Sequence, residues 1–366
     1  MDFSVHSRSK GVAVATIRND IGLSFDDVLL VPRKSTISSR FSGGIDLSTV
    51  IVPGMELKYP IISANMDTTT GYELANTLSE AGALGIIHRF LSVENHLQEL
   101  LNTMHQQYPA VLCIGVGKEQ FEERFLKIFE YDDPKINLGA VLIDIAHGHS
   151  DTMLRQIARV KTAAPELPII AGNVATYEGA MDLLSAGVSS IKIGVGPGSV
   201  CSTRIQTGNG VPQLTAIMEC RRAIGDSGTS ASLIADGGIR FGGDIVKALA
   251  SGANAVMIGN LFAGTEEAIG EIISTKSGLM KAYRGMASRE AQKSWKGYAT
   301  SIEGEMMNVP YKGSAIGVLG GLVSGVLSGM SYQDARNISE LQDNAVFIRQ
   351  TSAGHRESQP YALLKE

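Results

Sequence analysis

AVLIDIAHGHSDTMLRQIARVKTAAPELPIIAGNVATYEGAMDLLSAGVSSIKIGVG, residues 140–196, holds three short apolar runs separated by two longer stretches of helical spacing. The runs AVLIDIAHG (140–148), PIIAGNV (168–174) and SIKIGVG (190–196) are too short for ordinary helices and are almost unbroken in apolar character. Such runs read as strands covered on both faces, the condition of a parallel sheet. Between them, SDTMLRQIARVKTAAP and YEGAMDLLSAGV carry helical periodicity, and an SAG ending ahead of a strand is helix C-cap chemistry.

The same unit recurs in both directions. PIISANMD (60–67), ALGIIHR (83–89) and AVLCIGVG (110–117) precede it, and SLIADGGI (232–239) and AVMIGNLF (255–262) follow. Helical patterns such as GYELANTLSEAGA and GGDIVKALASGA lie between the runs. Eight strand–helix units predict an α/β fold, a closed (β/α)8 TIM barrel with its site at the C-terminal ends of the strands. An open doubly wound sheet is the competing architecture, but no GxGxxG follows the first strand. Two regions fall outside the repeat. Residues 1–59 contain LSFDDVLLVPRKSTISSR, read as an N-terminal hairpin over the barrel. Residues 283–366 open with a polar, Gly-punctuated segment, and about 285–313 are read as an active-site flap within one catalytic domain spanning 1–366.

Composition narrows the function classes. With 44% hydrophobic and 19% charged residues the chain can form a large core, which disfavours disorder. A net charge of −5 disfavours a general nucleic-acid binder, which needs a basic face. Three cysteines fit a reducing cytoplasm better than a disulfide framework. The N-terminal twenty residues lack a signal-peptide core, and no stretch is read as reaching the roughly 18 apolar residues of a membrane span. GGLVSGVLSGM, near 320–330, is read as too short and too Gly-rich for one.

GVGPGSVCSTRIQTGNGVPQ, residues 194–213, is the most informative loop. Gly at this density lets backbone amides approach a ligand. Cys201, embedded there beside Arg204, is a candidate nucleophile. Cys113 lies inside an apolar strand and Cys220 among helical residues, so both are read as buried thiols. His147 and His149 are read as loop structure, because their spacing in a loop does not suit a metal site.

This loop resembles the signature of the inosine-monophosphate dehydrogenase and guanosine-monophosphate reductase family. LSFDDVLLVP (23–32), SANMDT (63–68), DIAHGHS (144–150), AGNVAT (171–176), IADGGIRFGGD (234–244), YRGM (283–286), VPYKG (309–313) and FIRQTSAGHRES (347–358) match in order. The family's paired CBS modules normally sit between barrel strands two and three. Here IIHRFLSVENHLQELLNTMHQQYPAVLCIGVG bridges that gap directly, so the insert is absent.

The resemblance implies a covalent mechanism in which the Cys201 thiolate adds to C2 of a purine nucleotide. It implies either NADPH-dependent conversion of GMP to IMP and ammonia, or NAD-dependent oxidation of IMP to XMP. Dehydrogenases carry an adjacent Arg-Tyr pair on the flap to activate water. REAQKSWKGYATSI, between Ser288 and Glu303, has none. That absence and PQLTAIMEC favour a reductase. AHGHS, IADGGIRFGGD and SAGHRES read more like a dehydrogenase, and GMASRE stands where reductases have GMSSE. Shifted specificity for a related purine nucleotide is a third reading. A non-catalytic nucleotide binder is the alternative from another class. Retention of Cys201 with Thr203 and Glu303 argues against it.

Further roles follow by resemblance. Thr203 and Glu303 match the proton-relay pair. Asp236 matches the ribose acceptor. Ser199, Gly237, Gly238, Gly259 and Tyr283 match the phosphate site, and Met286 a contact to the base. Asp144, Asn173 and Arg204 match cofactor contacts. A potassium ion would use carbonyls of Gly196, Gly198 and Cys201, with Glu357 and Ser358 from a neighbouring subunit of a homotetramer.

Overall fold

The computed structural model describes residues 15–40, 44–103, 107–131, 133, 136–300 and 302–360. The signal-peptide reading falls largely on residues 1–14, outside the described residues.

All eight apolar runs contain strands. In chain order they are Ile61–Ser63, Leu84–Gly85, Ala110–Ile114, Leu138–Asp144, Ile169–Val174, Ser190–Ile193, Ser232–Asp236 and Ala255–Ile258. Every adjacent pair that bonds is parallel, and the first strand pairs with both the second and the eighth. No ladder among the described residues joins the second strand to the third. Their side chains nevertheless meet inside, where Leu84 and Ile86 share a core with Val111 and Cys113. The sheet is thus curled into a (β/α)8 barrel.

The unbroken apolar runs have a simple cause. Alternate residues serve different cores, because successive strand side chains point to opposite faces. Ile170, Ile234 and Met257 fill the barrel interior. Their neighbours Ile169, Leu233 and Val256 pack under the outer helices. Those helices start where the sequence supplies caps. The side chains of Ser92, Ser150 and Thr176 each accept a hydrogen bond from a backbone N–H three residues on. Gly82, Gly187 and Gly252, ahead of strands, take φ of 98°, 82° and 118°, the left-handed stop that glycine permits.

Two sequence readings need correction. LSFDDVLLVPRKSTISSR forms no hairpin of its own. Its strand Val28–Leu30 pairs antiparallel with the tail strand Phe347–Arg349, and Pro32, without an N–H, follows closely behind it. The hairpin lies further on, at Thr49–Val52 and Met55–Leu57. It plugs the N-terminal mouth: Ile51, Val52, Met55 and Leu57 join the inner core, and Ser232 Oγ, at the start of strand seven, donates to Ile51 O at 2.5 Å.

The second correction concerns GGLVSGVLSGM. It belongs to an 18-residue helix, Ala315–Tyr332, which by length and composition is apolar enough to cross a membrane. Its buried face, Ala315, Leu319, Leu322, Val323, Val326 and Met330, instead covers the barrel. The glycines allow close packing against helix Gly242–Ala250. A Cβ on Gly329 would stand 2.5 Å from Val246 Cγ2, and one on Gly242 2.9 Å from Gly325 Cα.

The region read as a flap contains regular elements and adjoins others. Strands Ile273–Thr275, Gly278–Arg284 and Met306–Pro310 form an antiparallel sheet. Helix Arg289–Lys296 lies in the chain between the second and third of these strands.

Candidate active site

The C-terminal ends of the strands surround a cavity of about 770 Å³. Asp144 ends strand four, Asn173 lies near the end of strand five, and Asp236 ends strand seven. All three line the cavity. The loop after strand six brings Cys201 to the same wall, half-buried, while Cys113 and Cys220 are fully buried.

The thiol sits at one end of a directed line of hydrogen bonds. Cys201 Sγ donates to Thr203 Oγ1 at 3.2 Å, and Thr203 Oγ1 donates to Glu303 Oε2 at 2.9 Å. The flap's return limb is stitched to the thiol loop like a strand. Ser202 N donates to Glu303 O at 3.0 Å, and Glu305 N donates to Val200 O at 2.9 Å. Gly304, between them, has little room for a side chain, since a Cβ there would lie 3.0 Å from Ser288 N, at the other side of the flap.

Arg204 is placed differently from its expected cofactor role. It does not line the cavity. Its guanidinium donates to Val195 O at 3.1 Å and Val211 O at 2.7 Å, holding the two arms of the loop together. Cβ atoms on Gly196 and Gly210 would stand 2.5 and 2.7 Å from Arg204 Cγ. These two glycines therefore make room for Arg204.

The residues matched to a phosphate site come together on the cavity wall. Ser199, Gly237, Gly238, Gly259 and Tyr283 all line it, as do Met286, Gly196 and Gly198. A Cβ on Gly259 would lie 2.6 Å from the Tyr283 hydroxyl. Burial pushes that phenol up to about 12, against a smaller opposing effect of its hydrogen bond with Ser199. Glu357 and Ser358, by contrast, lie at the end of the tail helix and do not line this chain's cavity. Among the described residues, no group of His, Cys, Asp and Glu could hold a metal ion. His149 instead meets Asp182 at 2.9 Å.

Sequence reasoning missed Lys192. It projects from strand six into the barrel, its side chain 4% exposed, and bridges Asp144 Oδ1 at 2.9 Å and Asp236 Oδ2 at 2.5 Å. Burial opposes its charge, but the two carboxylates outweigh that penalty and hold the ammonium well above its ordinary range. Burial likewise works against ionised Asp144, and the Lys192 ammonium reverses the balance and lowers it. Burial, aided by Asp144, pushes the Cys113 thiol up to about 12, consistent with an inert core residue. The available signal was a lysine inside the otherwise apolar SIKIGVG.

An aromatic wall was missed as well. Phe90, after strand two, packs on Trp295 of the flap helix with ring centroids 5.4 Å apart. The Arg89 guanidinium lies 4.4 Å from the Phe90 ring centroid. All three line the cavity.

Comparison with known proteins agrees with this geometry. The family model described as "IMP dehydrogenase / GMP reductase domain" matches residues 22–361. Inosine-5'-monophosphate dehydrogenase of Borreliella burgdorferi is 36% identical, covering 93% of this chain and 96% of its own length. That of Nitrosopumilus maritimus is 32% identical, covering 94% and 98%. The latter alignment spans 473 positions, more than the 366 residues of this chain, so that relative carries residues without counterparts here. Among solved structures, a cysteine-to-alanine variant of GMP reductase from Trypanosoma brucei, in complex with guanosine 5'-monophosphate, superposes with a TM-score of 0.86 at 27% identity, covering 94% of this chain and 98% of that one. Fold and matches together define an NAD(P)-dependent oxidoreductase of purine metabolism on a TIM barrel. The chain belongs to the IMP dehydrogenase / GMP reductase family.

Proposed function

We propose that the protein is a GMP reductase, converting GMP to IMP and ammonia with NADPH through a covalent bond to Cys201. The observation that carries this reading is the hydrogen-bonded line from Cys201 through Thr203 to Glu303, in a cavity lined by a flap without an adjacent Arg-Tyr pair. Arg289 and Tyr298, the flap's residues of those types between Ser288 and Glu303, do not line the cavity.

In this reading the Cys201 sulfur adds to C2 of the purine. The C2–N bond to the exocyclic amino group then breaks, and ammonia leaves with a proton delivered along Glu303 and Thr203. Held beside Asp144 and Asn173, NADPH would supply the hydride that C2 requires, leaving as NADP+. The C2–S bond breaks, releasing IMP and restoring the thiolate. The flap's task is to keep water from the intermediate, since hydrolysis would give XMP instead.

Asp236 accepts from the ribose hydroxyls, while Ser199, Gly237, Gly238, Gly259 and Tyr283 surround the phosphate. The nicotinamide half fits Asp144 and Asn173. Asn173 Nδ2 is used, donating to Gly194 O at 2.7 Å and Asp236 Oδ2 at 3.0 Å. Its Oδ1 is buried with no hydrogen-bond partner among the described residues, an acceptor that a carboxamide N–H would satisfy. In a homotetramer, Glu357 and Ser358 would serve a neighbouring copy's potassium site.

A second reading, IMP dehydrogenase acting with NAD, is favoured by the sequence relatives, which carry that name at 31–36% identity. One assay separates the two. Purified protein is given GMP with NADPH, and in parallel IMP with NAD+, each with and without potassium. Loss of absorbance at 340 nm with release of ammonia supports the reductase. A rise at 340 nm with IMP overturns it in favour of the dehydrogenase. No change with either pair points to another purine nucleotide or a non-catalytic binder.

A further inference from the structure

We propose that Lys192 is a positioning residue shared by the two halves of the site, one ammonium fixing both the ribose acceptor Asp236 and the cofactor-side acceptor Asp144. The inference rests on the roles proposed above for those two carboxylates.

The argument begins with the hydrogen bonds. Asp144 has both oxygens engaged: Oδ1 meets Lys192 at 2.9 Å, and Oδ2 accepts from Asn65 Nδ2 at 2.8 Å. Asp236 has one: Oδ2 takes Lys192 at 2.5 Å and Asn173 Nδ2 at 3.0 Å. Its other oxygen, Oδ1, has no hydrogen bond among the described residues and belongs to a residue on the cavity wall. Lys192 therefore fixes the carboxylate plane of Asp236 through one oxygen and leaves the second to accept from a ligand.

The arrangement also answers an electrostatic problem. Two carboxylates converging on a partly desolvated barrel mouth repel each other and would repel an anionic ligand. One buried ammonium between them halves that charge. The space for it is built in, since a Cβ on Gly172 would lie 2.7 Å from Lys192 Cβ. Removing one partner from such a buried cluster leaves an uncompensated charge. The acceptors would then protonate or turn aside, and a charge-assisted hydrogen bond to each ligand would be lost.

The partners of Lys192 are Asp144 and Asp236, whereas the thiol's line runs separately from Cys201 through Thr203 to Glu303. The reactivity of the free thiol should therefore not depend on Lys192. Trp295, the only tryptophan in the chain, lines the cavity, so its fluorescence is the chosen probe of binding.

The test titrates folded wild-type protein and the Lys192→Met variant separately with IMP and with NAD+ or NADPH, following Trp295 emission. The expected result is a Kd raised about tenfold or more for both nucleotide and dinucleotide, the loss of one charge-assisted hydrogen bond to each, with the rate of Cys201 alkylation in unliganded protein unchanged. Asp144→Asn should weaken the dinucleotide more than the nucleotide, and Asp236→Asn the nucleotide more than the dinucleotide. If Lys192→Met does not fold, Lys192→Arg keeps the charge but displaces it, and the same paired loss is expected. Wild-type affinity for either ligand in a folded Lys192 variant overturns the inference. If wild-type protein binds neither ligand, the functional reading fails first and the inference falls with it.

Discussion

Cys201 was recognisable in the sequence because a thiol inside a Gly-dense loop is unusual, and the resemblance supplied its partners. Thr203 and Glu303, a hundred residues apart, meet as expected, at 2.9 Å. Cys201→Ala should abolish turnover while leaving nucleotide binding measurable by Trp295 fluorescence. Glu303→Gln should lower turnover about 10²–10⁴-fold, the range for loss of a general acid, with Cys201 alkylation preserved. Full activity in Glu303→Gln would remove the relay from the mechanism. Arg204 and Lys192 were harder to read. A loop arginine looks like a ligand contact until its carbonyl partners are known, and a lysine in an apolar strand looks like an exception until two carboxylates are found opposite it. Lys192's partners are distant in sequence, and Arg204's become visible only once the loop folds back on itself.

Strands were the most legible elements, because the two-core arrangement of a parallel barrel forces long apolar runs. The hairpin was not, since the pairing of Val28–Leu30 is decided by a tail strand at the far end of the chain, Phe347–Arg349. The helix Ala315–Tyr332 was underestimated because only GGLVSGVLSGM was weighed, as a stretch too short and too Gly-rich to span a membrane. In the fold its glycines are contact points, where a neighbouring helix substitutes packing for the lost propensity. Gly329→Val should therefore destabilise the protein by about 1–3 kcal/mol, the usual cost of overpacking, as measured by chemical denaturation. An unchanged midpoint would mean that the two helices separate readily at that position.

The stability of the whole molecule should depend on two buried imidazoles. Burial pushes His88 down to about 4, and burial with the nearby Arg124 holds His96 well below its ordinary value. The unfolded chain binds these protons near the ordinary histidine pKa of about 6.5, while the folded chain resists them. The stabilisation is fully present above about pH 6.5 and is lost as pH falls toward about 4, on the order of 3 kcal/mol for His88 alone. His88→Gln should show a shallower fall of unfolding free energy across that interval than wild type. Parallel curves would show that His88 contributes nothing to acid sensitivity.

The pairing of Val28–Leu30 with Phe347–Arg349 also governs the order of events during synthesis. A ribosome delivers the first of these strands long before the second, and barrel strand one, which pairs with strand eight through Ile61 and Val256, also waits for most of the chain. The early chain therefore emerges with two sets of unpaired strand edges and must keep them from other chains until translation is almost complete. Premature termination before Phe347 would leave the first of these edges permanently open, on a molecule whose barrel strands have all been made.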